Sequence, residues 1–192
     1  MRMTKNKRTS VLEMEFRAEE REGKKVIYGY FILFNQETRL FGNVYEEISP
    51  TSVINSLAEN DIRCLFNHDT SKILGRTGNG TLVLRSDTKG LYGEAEINEA
   101  DPEALAIYAR IQRGDINACS FGFYPVKETE EIRDDGSVKF TVEDMDLIEV
   151  SPVTFPAYPQ TEVAARQRDI SRIKQERFAN KKAKLKERFK NA

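Results

Sequence analysis

Short apolar runs of period two, each ended by turn residues, recur along most of this chain, and a chain patterned in that way has to build sheets. Leu12, Met14, Phe16 and Ala18 alternate with Glu13, Glu15, Arg17 and Glu19, which predicts a strand over 10–18 with one apolar and one charged face. Residues 25–34 read as a second, more buried strand, and 61–66 as a short one ending in Asn67-His68-Asp69. After a glycine-rich turn over 75–80, the runs 81–85 and 91–97 flank Asp87-Thr-Lys-Gly90, a hairpin signature. Further strands are expected over 119–124 and 146–155, the latter broken by Pro152, with a hairpin turn at Asp134-Asp-Gly136. Helices are fewer. Ser49-Pro50 caps one that runs to about Glu59, and Asp101-Pro102 caps another with Leu105, Tyr108 and Ile111 on one face and Gly114 as its stop.

At least seven strands and two helices make a mixed α/β chain of mainly antiparallel β-structure. The expected architecture is a compact β-barrel or strongly bent sheet with packed helices. The 192 residues suit one domain with a tail, and 39% hydrophobic against 32% charged residues is a globular composition with a wet surface. The expected organisation is a flexible basic N-terminus over 1–9, one folded domain over 10–163 and a basic helical tail over 164–192. That tail carries eleven Lys/Arg and three Asp/Glu, net +8, while the rest carries 19 basic and 28 acidic residues, net −9. Such asymmetry points the tail at an acidic partner, protein or nucleic acid. No apolar run is long enough to span a bilayer, and no apolar stretch follows the basic start as in a signal peptide. Two cysteines, Cys64 and Cys119, give no disulfide framework and suit a reducing cytoplasm.

His68 is the chain's one histidine. Acyl transfer by a serine needs a base that takes and returns a proton near neutrality, and imidazole does so. His68, flanked by Asn67 and Asp69 at a strand end, is either that base or an ordinary surface histidine. Ser120, in Asn117-Ala-Cys-Ser-Phe-Gly-Phe123, is either a nucleophile or a buried serine of a core strand. Cys119 is its rival, but adjacent strand residues face opposite ways, so only one of the two can meet His68. Glu149 interrupts the run 147–155. It is either a buried carboxylate needing a partner such as an imidazole N–H or a residue on the wet face of an amphipathic strand. Asp69 and Asp146 are weaker acids for that role. Cys64, His68 and Cys119 lack a fourth ligand and the paired spacing of a zinc site, and the glycines at 75–80 match no phosphate-binding pattern. No metal or other cofactor is expected.

Four stretches, in order, resemble the tailed-bacteriophage prohead (capsid maturation) serine proteases. They are Phe66-Asn-His-Asp69 with Ile73-Leu-Gly-Arg76, the Gly90-Leu91 turn into a strand, Ile116-Asn-Ala-Cys-Ser-Phe-Gly-Phe123, and Leu147-Ile-Glu-Val-Ser-Pro-Val-Thr-Phe-Pro-Ala-Tyr-Pro159. The resemblance spans roughly 10–163. It implies a fold like that of the herpesvirus assemblin proteases, with His68 and Ser120 as the catalytic pair and Glu149 as the acid that best fits the third place. It further implies an endopeptidase that cleaves scaffold or delta-domain segments and the major capsid protein inside the assembling prohead, in the host cytoplasm, and then often itself. The expected partners are the major capsid protein with its scaffold segment and further copies of the chain in a homo-oligomer, with nucleic acid as a second target for the tail and no membrane. The rival reading is a non-catalytic assembly or scaffolding protein whose charged tail binds capsid subunits.

Overall fold

The computed structural model describes residues 8–13 by their backbone, residues 16–155, and six positions between 170 and 182. The chain divides into two compact units, Met1–Tyr158 and Pro159–Ala192. In the second, Ile170–Arg172, Gln175, Ala179 and Lys182 are helical. The rest of the expected basic tail, like residues 1–7 of the expected flexible N-terminus over 1–9, lies outside the described residues, whereas Arg8 and Thr9 of that stretch are strand.

The first unit holds two sheets. One has seven strands: β1 (Arg8–Glu13), β10 (Ala118–Ile132), β11 (Val138–Val153), β5 (Val44–Ile48) and β4 (Thr38–Phe41) in that order, with β6 (Arg63–Phe66) also against β11 and β7 (Asp69–Arg76) against β6. The other runs β2 (Arg17–Arg21), β3 (Lys24–Leu33), β9 (Gly90–Glu96), β8 (Leu82–Ser86). All pairings are antiparallel except those of β5 and β6 with β11. The expected mixed, mainly antiparallel class is present, but the expected barrel is not: both sheets are open. The reason lies in the run 10–18, read as one strand. It is two strands, β1 in the larger sheet and β2 in the smaller, with Phe16 between them, 5% exposed and edge-on to Phe31 at 5.2 Å. Alternation fixes which face of a strand is apolar but not which ladder it joins, and a chain that changes sheets here divides its strands between two ladders. β4, β5 and β7 were not expected, and β10 and β11 are longer than expected, with β11 running through Pro152 to Val153.

One core cluster unites both sheets and helix α2 (Pro102–Arg113), joining Ile27 and Phe31 of β3, Phe121 and Phe123 of β10, and Ile107 and Ile111 of α2. α2 begins where Asp101 accepts the Glu103 N–H at 2.9 Å. It ends at Gly114, whose φ of +87° lets its N–H close on Arg110 and Ile111.

The short helix α1 (Ile54–Glu59), after a 3-10 turn at Pro50–Val53, settles where β6 lies. β5 pairs with β11 over Val138–Val142 and β6 pairs again at Glu149 and Val150. Between them, among the described residues, β11 has no strand neighbour on that edge, and α1 fills the gap. Ser56 Oγ donates to the Met145 carbonyl at 2.7 Å and accepts the Leu147 N–H at 2.8 Å. One side chain thus supplies the ladder bonds that buried backbone requires, and β6 is delivered beside the last third of β11.

Candidate active site

β6 and β7 meet in a two-residue turn. Phe66 pairs with Asp69, leaving Asn67 and His68 as the loop, with φ of +52° and +61°. Positive φ at both central residues marks the primed hairpin turn that suits strand twist. Asn and His are among the non-glycine residues found most often in that region, but the backbone still costs energy there, and such strain persists only where surroundings hold it. Here they do. The Asn67 N–H donates to the Pro152 carbonyl at 3.0 Å, Asn67 Nδ2 donates to Thr154 Oγ1 at 3.1 Å, and the Thr154 N–H donates to Asn67 Oδ1 at 2.8 Å. The turn is bolted to the end of β11.

From that turn the imidazole reaches Glu149, with Nδ1 2.7 Å from Oε1. A carboxylate only accepts, so Nδ1 carries the proton and donates, and in the neutral ring Nε2 keeps the lone pair. The other carboxylate oxygen, Oε2, accepts from Ser151 Oγ at 2.7 Å. Ser151 is the cross-strand partner of Ser120, and Glu149 that of Gly122. Direct cross-strand partners share a face, so Ser120, Gly122, Ser151 and Glu149 stand on one side of the sheet. Gly122 has no side chain to set against Glu149. A bulge next to this pair takes Ile148 out of register, so Phe123 pairs with Leu147. Ser120, Ser151 and Glu149 are 0% exposed, while the His68 side chain is 25% exposed.

The opposite side of the same strands is core. Cys119, Phe121, Val150 and Cys64 belong to the large apolar cluster, whereas Ala118 and Val153, on the Ser120 side, form a small cluster of their own.

The family model described as caudovirus prohead serine protease matches residues 12–176. This chain belongs to that family. No curated protein matches it. Among solved structures, the bacteriophage T4 capsid assembly protease gp21 is similar at 16% identity, covering 77% of this chain and 99% of that one, with a TM-score of 0.44.

As a member of the prohead protease family, the chain is a serine protease. Within this chain, chemistry disfavours the rival thiol. Burial pushes the Cys119 thiol well above its ordinary range, with the neighbouring Cys64 adding to the rise, and burial and then the Glu149 charge push Cys64 up in turn. Neither forms a ready thiolate. The weaker acids are engaged elsewhere. Asp69 accepts from the Ser71 N–H at 2.9 Å and Oγ at 2.6 Å, which hold its carboxyl below the usual range, and Asp146 accepts from Asn60 Nδ2 at 2.7 Å. Among the described residues no three His, Cys, Asp or Glu gather as a metal ion would need. Sequence reasoning missed Ser151 and Thr154. The spacing Glu149-x-Ser151 puts two polar residues on one strand face and was the available signal for the first. Nothing local pointed to the second.

Proposed function

We propose that Ser120, His68 and Glu149 are the nucleophile, base and orienting acid of this protease. The observation that supports this best is the 2.7 Å contact between His68 Nδ1 and the buried Glu149, on the sheet face that also carries Ser120. His68 Nε2 takes the Ser120 hydroxyl proton as Oγ attacks the scissile carbonyl carbon. The tetrahedral oxyanion collapses, the C–N bond breaks, and the leaving amine takes the proton from Nε2. Water, deprotonated by the same nitrogen, then cleaves the acyl-enzyme ester, releasing the new carboxylate and restoring Ser120. Glu149 holds the tautomer and balances the imidazolium charge.

In this reading the substrates are the scaffold or delta-domain segment and the major capsid protein inside the prohead, and later the chain itself. The protease domain is 10–163, assemblin-like, and the basic segment 164–192 docks onto acidic scaffold segments. The net charge of +8 on that segment against −9 on the rest supports the docking. Truncation after Val163, in a Ser120→Ala background, tests it by the number of protease copies per prohead: an unchanged number rules docking out.

The catalytic assignment is tested with a fluorophosphonate probe and co-expressed capsid protein. The wild type takes one label, at Ser120, and cleaves. Ser120→Ala takes none and loses about a million-fold in rate. Because Ser120 is 0% exposed, a peptide or bulky probe reaches Oγ only after local opening, so small phosphonates label faster than large ones. A Ser120→Ala variant that still processes capsid protein removes this serine from the mechanism.

A further inference from the structure

We infer that Ser151 is a positioning residue of this active site, acting on the imidazole through Glu149; the inference rests on the triad proposed above. The terminal torsion of a glutamate is broad, with no sharply preferred rotamer, so a carboxylate fixed at one oxygen can still swing. Glu149 is fixed at both. Oε1 takes the imidazole and Oε2 takes the Ser151 hydroxyl, each at 2.7 Å, in a side chain only 1% exposed. Water is shut out, so the second donor has to come from the protein, and charge-assisted bonds of this kind hold geometry firmly.

The sequence holds the donor in place. Ser151 lies two residues from Glu149 on one strand, hence on the same face. Pro152 follows it, and the residue before a proline is confined to extended backbone. The commitment of the Ser151 proton to Oε2 also separates the roles of two facing serines. Ser120 and Ser151 are direct cross-strand partners, but a hydroxyl has one proton to give, and that of Ser151 is given to the carboxylate rather than to the base.

The test compares Ser151→Ala, Ser151→Thr, His68→Ala and Ser120→Ala on a peptide substrate, following kcat, KM and the acidic limb of the pH profile, with mass spectrometry of the phosphonate adduct. Ser151→Ala should lower kcat about tenfold to a hundredfold, the loss of one bond to a charged group, with KM unchanged. Released from one donor, the carboxylate holds the imidazolium more strongly, so the acidic limb moves to higher pH. Ser151→Thr restores the hydroxyl and should return both readouts toward wild type. A Ser151→Ala enzyme with wild-type kcat, or one slowed with its acidic limb unmoved, overturns the positioning role while leaving the triad standing. Activity retained by His68→Ala and Ser120→Ala overturns the triad itself, and an adduct on Ser151 overturns both.

Discussion

At the turn end of the β10–β11 hairpin, polar side chains go to water; at the other end they are sealed in. From Val138 to Leu147 burial largely alternates along β11, and the charges pair at the surface: Lys127 with Glu143 at 2.6 Å, Lys139 with Glu47 at 3.0 Å, and Arg133 with Glu37. Past Ile148 the alternation stops. Glu149 through Val153 are all buried, on both faces, and the second face carries Glu149 and Ser151 opposite Gly122 and Ser120. Sealing a carboxylate in protein gains little stability, since apolar residues of the same size often do as well or better. The turn end is therefore what a stable hairpin requires, and the sealed end is what the proposed triad requires.

The largest effect should come from the sealed end. Glu149→Gln keeps the volume and an acceptor for Nδ1 but removes the charge that balances an imidazolium. We expect kcat to fall about ten-thousand-fold with the fold retained, read as turnover of a capsid-derived peptide beside a melting curve. More than a tenth of wild-type turnover would mean that this end is sealed for some other reason.

That difference between the ends was only half legible in the sequence. The facing of Ser120 away from Cys119 follows from strict alternation, and the structure adds that the Cys119 face belongs to the core cluster. The Asn67-His68 turn could be placed because a strand ends there. The burial of Glu149 could not be decided, because the same apolar neighbours suit a wet or a sealed face. The bulge at Ile148 that resets the register leaves no local mark. β5, Val44-Tyr-Glu-Glu-Ile48, was hidden by its two glutamates, although Glu46 is only 5% exposed. Which sheet a strand joins is decided by distant partners, and the barrel expectation failed on that point.

The next effect is on stability. Ser56 serves the stretch of β11 between its two halves, and Ser56→Ala leaves the Met145 carbonyl and Leu147 N–H without their partner. Two orphaned buried groups cost about 2–4 kcal/mol together, a melting midpoint about 5–15 °C lower. Below that midpoint kcat should hold. A large loss of kcat in the folded state would show that α1 sets the position of His68 more directly than through β6.

Asn67 should show a smaller, mixed effect. Asn67→Ala removes both side-chain bonds to Thr154 and places alanine at φ +52°. Asn67→Gly removes the same bonds but accepts that backbone. We expect both to lose about tenfold in kcat, as a less firmly held base would, and the alanine variant to be the less stable by about 1 kcal/mol. Equal stabilities would mean that the clamp, not the left-handed backbone, dominates the turn.

The smallest effect belongs to the turn end. The Arg133 side chain beside Glu37 holds that carboxyl below its usual range. A depressed carboxylate stabilises the fold above its unfolded range, and that contribution is lost as pH falls through the lower folded value. The pair is about one-third exposed, 32% and 31%, so water and salt screen most of it. Glu37→Gln should therefore shift the melting midpoint by no more than about 2 °C at neutral pH. The shift should shrink further in molar salt and vanish in acid, where wild-type Glu37 is itself protonated. Arg133 keeps its place over the Tyr45 ring, 5.6 Å from the centroid, so the hairpin turn should not loosen. Turnover should be unchanged, because none of the ion pairs named at this end includes His68, Glu149 or Ser151. A Glu37→Gln enzyme with altered kcat would show the two ends to be mechanically coupled along β10 and β11, and the hairpin would then have to be treated as one lever rather than two independent halves.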